Sequence, residues 1–83
     1  MNESKMNTAL GMCVVALTKH IMNEKQINHD MAYKQLLEME LYKLLNDFET
    51  RLFLETNEYL CRACDIELQQ GKEALYDYIN EVL

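Results

Sequence analysis

Cys61-Arg62-Ala63-Cys64 is the arrangement in this chain that most resembles a chemical motif. Two thiols spaced this way can chelate zinc or cycle as a redox disulfide when they open a helix in a suitable fold. Here the pair falls inside a predicted helix, past its first turn, and the sequence offers no strands for the βαβ framework that thioredoxin-like use requires. A structural zinc site wants four ligands, and the other candidates, Cys13, His20 and His29, form no second paired motif with usable spacing. Cys61, Cys64 and Cys13 are therefore the residues on which a thiol- or metal-dependent sensor would rest. The competing reading makes Cys64 a small core residue, in step with Leu60 and Leu68 at four-residue intervals, and Cys61 a boundary residue. The sequence favours that second reading, and neither metal nor cofactor is expected.

The remaining reactive side chains do not assemble into a catalytic pattern. His20 precedes the apolar Ile21 and His29 lies at a helix start, so each reads as a surface or capping residue. Neither has a Ser or Cys arranged as a nucleophile. Carboxylates are plentiful, but none sits in an apolar surround that would shift its pKa, and acidic helices ordinarily carry a solvated face. Two isolated glycines, Gly11 and Gly71, cannot form a phosphate-cradling loop. The sequence therefore predicts no enzyme and no catalytic residue.

Five tyrosines and six methionines remain, both residue types enriched at interfaces. Tyr59, Tyr76 and Tyr78 are the candidate contact residues for a partner. The alternative for each is a tyrosine that caps the edge of a thin core with its hydroxyl in water.

The elements that must position these residues are helical throughout. Proline is absent, and Leu, Glu, Lys, Met and Ala, all good helix formers, are abundant. Residues 1–5 are polar and expected to fray. Met6, Leu10, Cys13, Val14, Leu17 and Ile21 then recur at three- and four-residue spacing, which predicts a helix from about Ser4 to Glu24. Met12, Val15 and Ala16 widen its apolar arc, so this helix is either central to the fold or partly covered by another chain. Asn28 or Asp30 can cap a second helix starting near His29, whose period runs through Tyr33, Leu36, Leu37, Leu41, Leu44, Leu45 and Phe48. Periodicity alone does not say whether this stretch is one helix or two meeting near Met39. Glu49 to Glu55 is expected to be a tethered loop, and the β-branched and aromatic content around Leu52-Phe53-Leu54 permits an extended connection there. Thr56 is a good N-cap for a helix to Gln70, with Gly71 in the following position where a left-handed conformation is needed. Ala74, Leu75, Tyr78, Ile79 and Val82 mark a final amphipathic helix. The expected fold is all-α, a bundle of four to five helices around one core in a single domain spanning residues 1–83.

Composition narrows the partners. The 83 residues carry eight basic and fourteen acidic side chains, a formal charge of −6. Residues 1–29 hold two acids and three bases, and residues 30–83 hold twelve acids and five bases. Contact with a nucleic-acid backbone or an anionic membrane is therefore unfavourable, and a basic protein surface is the better match. A helix-turn-helix reader around Asn28 would present DNA with Lys34 against Glu38 and Glu40. The apolar run Met12 to Leu17 is far shorter than the roughly 18 to 20 residues that span a bilayer, and no basic leader with a cleavage site precedes it. Three cysteines, an odd number, suit a reducing compartment, so a cytoplasmic location is expected.

One resemblance adds to this. Ala32-Tyr33 with Leu36-Leu37, Leu41-Tyr42-Lys43-Leu44-Leu45-Asn46-Asp47, Thr50 with Leu52-Phe53-Leu54-Glu55, and Glu58-Tyr59-Leu60 together resemble a group of small uncharacterised bacterial helical proteins. These are encoded beside ADP-ribosyltransferase-like proteins in toxin–antitoxin-like gene pairs. The similarity runs from about Ile27 to Tyr78 and is less clear over Met1 to Gln26. It implies an antitoxin-like or accessory role in which the domain binds and restrains a partner, and it carries over no catalytic residues. The expected function is a non-enzymatic interaction module, with a homodimer through the first helix as one form. An acidic surface that imitates nucleic acid would share the same charge pattern.

Overall fold

The computed structural model describes residues 3–82, with the side chains of residues 7–80. Among the described residues five α-helices follow one another: α1 Glu3–Lys25, α2 His29–Glu38, α3 Glu40–Asn46, α4 Asn57–Gln70 and α5 Lys72–Val82. Two short 3₁₀ turns, Phe48–Thr50 and Leu52–Leu54, join α3 to α4. The all-α bundle read from the sequence is the observed fold.

α1 is the central element, packed against α2, α3, α4 and the second 3₁₀ turn. Its inner stripe of Cys13, Leu17 and Ile21 is buried, with Leu10 and Val14 flanking it. These residues meet Ala32 and Leu36 of α2, Leu41 and Leu45 of α3, and Leu60, Ala63 and Cys64 of α4 in one contiguous core. α5 lies along α4 and contributes Leu75 and Ile79. The side chains of Met6 and Val82, assigned to the apolar stripes of the first and last helices, lie outside the described residues. So do Met1 and Asn2 of the segment expected to fray, whereas Glu3 to Lys5 already belong to α1.

The helix ends have local causes. α1 stops where Gln26 turns left-handed at φ 55°, and the Ile27 N–H then reaches back to the Met22 carbonyl at 3.3 Å. That closes a Schellman-type end. Asn28 caps α2, its side-chain oxygen accepting from the Met31 N–H at 2.9 Å. Thr56 caps α4 in the same way, accepting from the Tyr59 N–H at 3.1 Å. Gly71 ends α4 with φ 95° and ψ 177°, a backbone region open essentially to glycine alone. It differs from the left-handed helical conformation expected there, and it lets α5 restart at once.

Two features depart from the sequence reading or settle what it left open. The stretch from His29 to Asn46 is two helices, broken at Met39, whose backbone is extended at ψ 148°. Met39 offers no side-chain cap to α3. The cap comes instead from α4: the Glu67 carboxylate accepts from the Glu40 and Leu41 N–H groups at 2.7 and 2.9 Å. The tethered loop at Glu49 to Glu55 takes no extended course: it is built of paired 3₁₀ turns hinged at Arg51, which is left-handed at φ 58°. Thr50 holds the first turn by donating its hydroxyl toward the carbonyls of Leu44 and Asp47, at 2.8 and 2.9 Å. Leu52 and Phe53 are buried in the core, and Phe53 meets Phe48 edge-on with ring centres 5.3 Å apart.

Candidate functional site

The cysteines fall into two environments. Cys64 is fully buried on the inner face of α4, between Leu60 and Leu68, and Cys61 is half-buried at the helix edge. Burial, reinforced by the charge of Asp65, pushes the Cys64 thiol up to about 12. Burial also raises Cys61, with Asp65 and Glu24 adding to the effect. Cys13 is buried on α1, where its thiol donates to the Phe53 carbonyl at 3.5 Å and burial again raises its pKa. All three are free thiols held in their protonated form, the opposite of the lowered pKa that makes a reactive cysteine. The core reading of Cys64 and the boundary reading of Cys61 match these positions.

The three candidate contact tyrosines do not share one surface feature. Tyr59 and Tyr78 pack on each other across α4 and α5, ring centres 5.1 Å apart, and both lie against the core. Burial raises the Tyr59 phenol, with Tyr78 and Glu55 contributing. Tyr76 is exposed and donates its hydroxyl to the Glu40 carboxylate at 2.7 Å, a bond that raises the Tyr76 pKa. Tyr76 thereby ties α5 to the start of α3, next to the Glu67 cap.

A surface that the sequence flagged in part lies on α1. Met12 and Val15 are 68% and 54% exposed, although they sit on the central helix. They line an open, mostly apolar groove of about 650 Å³ with Thr8, Gly11, Ala16, Lys19 and Asn57. Thr8, Met12, Val15 and Lys19 follow the four–three–four spacing of a heptad seam. Gly11 has nothing within 4 Å of the place a Cβ would occupy, so the helix backbone is open to close approach there.

Sequence reasoning missed a polar cluster on the seam between α1 and α4. His20 Nε2 lies 2.7 Å from Asp65 Oδ1 and 4.0 Å from Glu24 Oε1. The core stripe Cys13, Leu17 and Ile21 turns position 20 toward the α4 edge, and Glu24 follows one turn later on the same side. On α4, burial of Leu60 and Cys64 leaves Cys61 and Asp65 on that edge. His20 is therefore the partner of an acidic residue 45 positions away, not the solvated surface residue its sequence context suggests. The available signal was His20 with Glu24 and Cys61 with Asp65, two donor pairs each at four-residue helix spacing. Nothing in the sequence shows that these two edges meet. His29, by contrast, is exposed and stacks on Tyr33 with ring centres 6.2 Å apart.

No protein-family model matches the chain, and comparison with curated proteins and with solved structures gives no match either. Among the described residues, no helix is long and apolar enough to cross a membrane.

Proposed function

We propose that this chain is a non-enzymatic, cytoplasmic interaction module that pairs with a second copy of itself through the outer face of α1. The observation that carries this reading is the exposure of Met12 and Val15 along an apolar groove on the central helix. Among the described residues the core buries nine Leu and Ile side chains to 8% exposure or less. Leaving that face wet forgoes roughly 1.5 to 3 kcal/mol for each large apolar side chain that a partner could cover.

Charge selects the occupant. Residues 1–29 carry a net +1 and residues 30–83 a net −7. Two copies meeting along α1 join their least charged surfaces and keep the acidic helices apart. The heptad spacing of Thr8, Met12, Val15 and Lys19 suits a helix of the same sequence running alongside, and the two-fold relation makes the contact self-complementary. The acidic remainder then faces outward, where it suits a basic protein partner and disfavours nucleic acid and anionic membranes. An antitoxin-like or accessory role belongs to the same class of activity.

The test is mass in solution by light scattering behind size-exclusion chromatography, over a concentration series. The expected result is a dimer for the native chain and a monomer for Val15→Glu, with unchanged helical circular dichroism. A native chain that stays monomeric at high concentration would overturn the reading. So would a Val15→Glu variant that dimerises as well as the parent.

A further inference from the structure

We infer that His20, Glu24 and Asp65 form a three-ligand zinc-binding site on the seam between α1 and α4, with water completing the coordination. One imidazole nitrogen and two carboxylate oxygens converge there, all within 4.8 Å of one another. His20 and Glu24 are a turn apart on one helix, and Asp65 comes from the other. Cys61 stands one turn before Asp65 on α4 and is not among the converging donor atoms. An imidazole nitrogen beside two carboxylate oxygens makes a set that suits zinc better than magnesium or calcium, which take oxygen ligands alone.

The geometry needs little change to receive the ion. Tetrahedral zinc with ligand bonds of about 2.0 to 2.1 Å spaces its donors by roughly 3.3 to 3.4 Å. The 2.7 Å His20–Asp65 pair must therefore open by about 0.6 Å, and the 4.0 Å His20–Glu24 pair must close by about 0.6 Å. Side-chain torsions supply both, because Glu24 is 53% exposed and Asp65 is 34% exposed. His20 is more enclosed, at 20%, so the nitrogen ligand is already directed.

The experiment is a titration of the tag-free, reduced full chain with Co²⁺, read by visible and near-ultraviolet absorption, followed by Zn²⁺ displacement. The expected result is one Co²⁺ per chain with ligand-field bands of a four-coordinate ion, bleached by one equivalent of Zn²⁺. No thiolate-to-cobalt band is expected in the near ultraviolet, and Cys61→Ser should bind as the native chain does. Replacing a residue next to a metal ligand typically costs about 10- to 100-fold in affinity, so removing a ligand at Glu24→Gln should cost at least about tenfold. Glu24 is an exposed residue on the middle of α1's last turns, so this variant keeps native circular dichroism and separates metal loss from unfolding. Absence of stoichiometric binding would overturn the site. So would binding that Glu24→Gln and His20→Asn leave unchanged.

Discussion

Replacing Glu67 tests whether one side chain on α4 decides where α3 begins. α3 has seven residues and no cap of its own at Met39, and a helix that short does not hold in water without outside support. Its Leu41 and Leu45 are nevertheless fully buried in the core. The Glu67 carboxylate supplies the missing acceptor, taking the Glu40 and Leu41 N–H groups at 2.7 and 2.9 Å, and it places negative charge at the positive end of the helix. Loss of an ordinary side-chain cap costs about 1 kcal/mol, and a hydrogen bond to a charged group contributes about 1.5 to 3 kcal/mol. The site is partly open to water, which can replace some of what is lost. Glu67→Ala is therefore expected to destabilise the chain by about 2 kcal/mol, which for this size lowers Tm by roughly 8 to 16 °C. Glu67→Gln keeps one acceptor oxygen but turns amide hydrogens toward the other N–H, and falls about midway. Urea denaturation followed by circular dichroism gives the total, and amide exchange at Glu40 and Leu41 locates it. Glu38→Ala, which removes a charge from an exposed residue, serves as the control and should stay within about 0.5 kcal/mol. A Glu67→Ala variant as stable as that control, with both amides still protected, would show that α3 does not depend on this carboxylate.

Three further expectations follow from the same geometry. Gly71→Ala costs more than about 1 kcal/mol in denaturant unfolding: no atom would meet the new Cβ, but φ 95° is strained for any L side chain. Gly11→Ala has the opposite sign and adds roughly 0.5 to 1 kcal/mol, measured at concentrations where the chain is monomeric, because that helix position is open. Stability also falls at alkaline pH, and the sign follows from the buried thiol. Cys64 ionises near 9.0 when unfolded and only near 12 when folded, so its contribution is intact below pH 9 and is lost as pH rises toward 12. The slope is about 1.4 kcal/mol per pH unit for that thiol, and Cys64→Ala should remove that component from the stability profile. At pH 8 an aromatic disulfide reagent should modify Cys61 first and reach Cys13 and Cys64 at the rate of unfolding; equal rates at all three would contradict the burial pattern.

The helices were legible because their causes are local. Apolar residues at three- and four-residue spacing mark the inner face of α1, and Thr56 and Gly71 bound α4 through chemistry that their own side chains, or the lack of one, provide. The break at Met39 was only permitted by the sequence, since its cap is Glu67, 27 residues from Glu40. The 3₁₀ turns are less legible, because the β-branched and aromatic content around Leu52-Phe53-Leu54 equally permits an extended course and the turn depends on Thr50, whose hydroxyl closes it on two carbonyls. The His20–Asp65 contact depends on the register of α1 against α4, which no residue pattern within either helix expresses. The broad apolar arc of α1 was readable, and the structure adds which part of it stays uncovered.

The two surfaces proposed for α1 are neighbours in sequence but separate in space, and this makes their effects independent. Lys19 ends the heptad seam and His20 begins the ligand set, yet successive helix residues are rotated by about 100°, so one points into the groove and the other toward α4. Zinc binding then replaces the local repulsion between Glu24 and Asp65 with a cation shared by both helices, in a chain whose net charge is −6. A ligand that binds only the folded state at a hundred times its Kd stabilises by about 2.7 kcal/mol. Zinc is accordingly expected to raise Tm in both the native chain and Val15→Glu while leaving the mass of each unchanged. Were zinc instead to convert the Val15→Glu monomer into a dimer, the ion would be bridging two chains, and the ligands would have to be divided between copies.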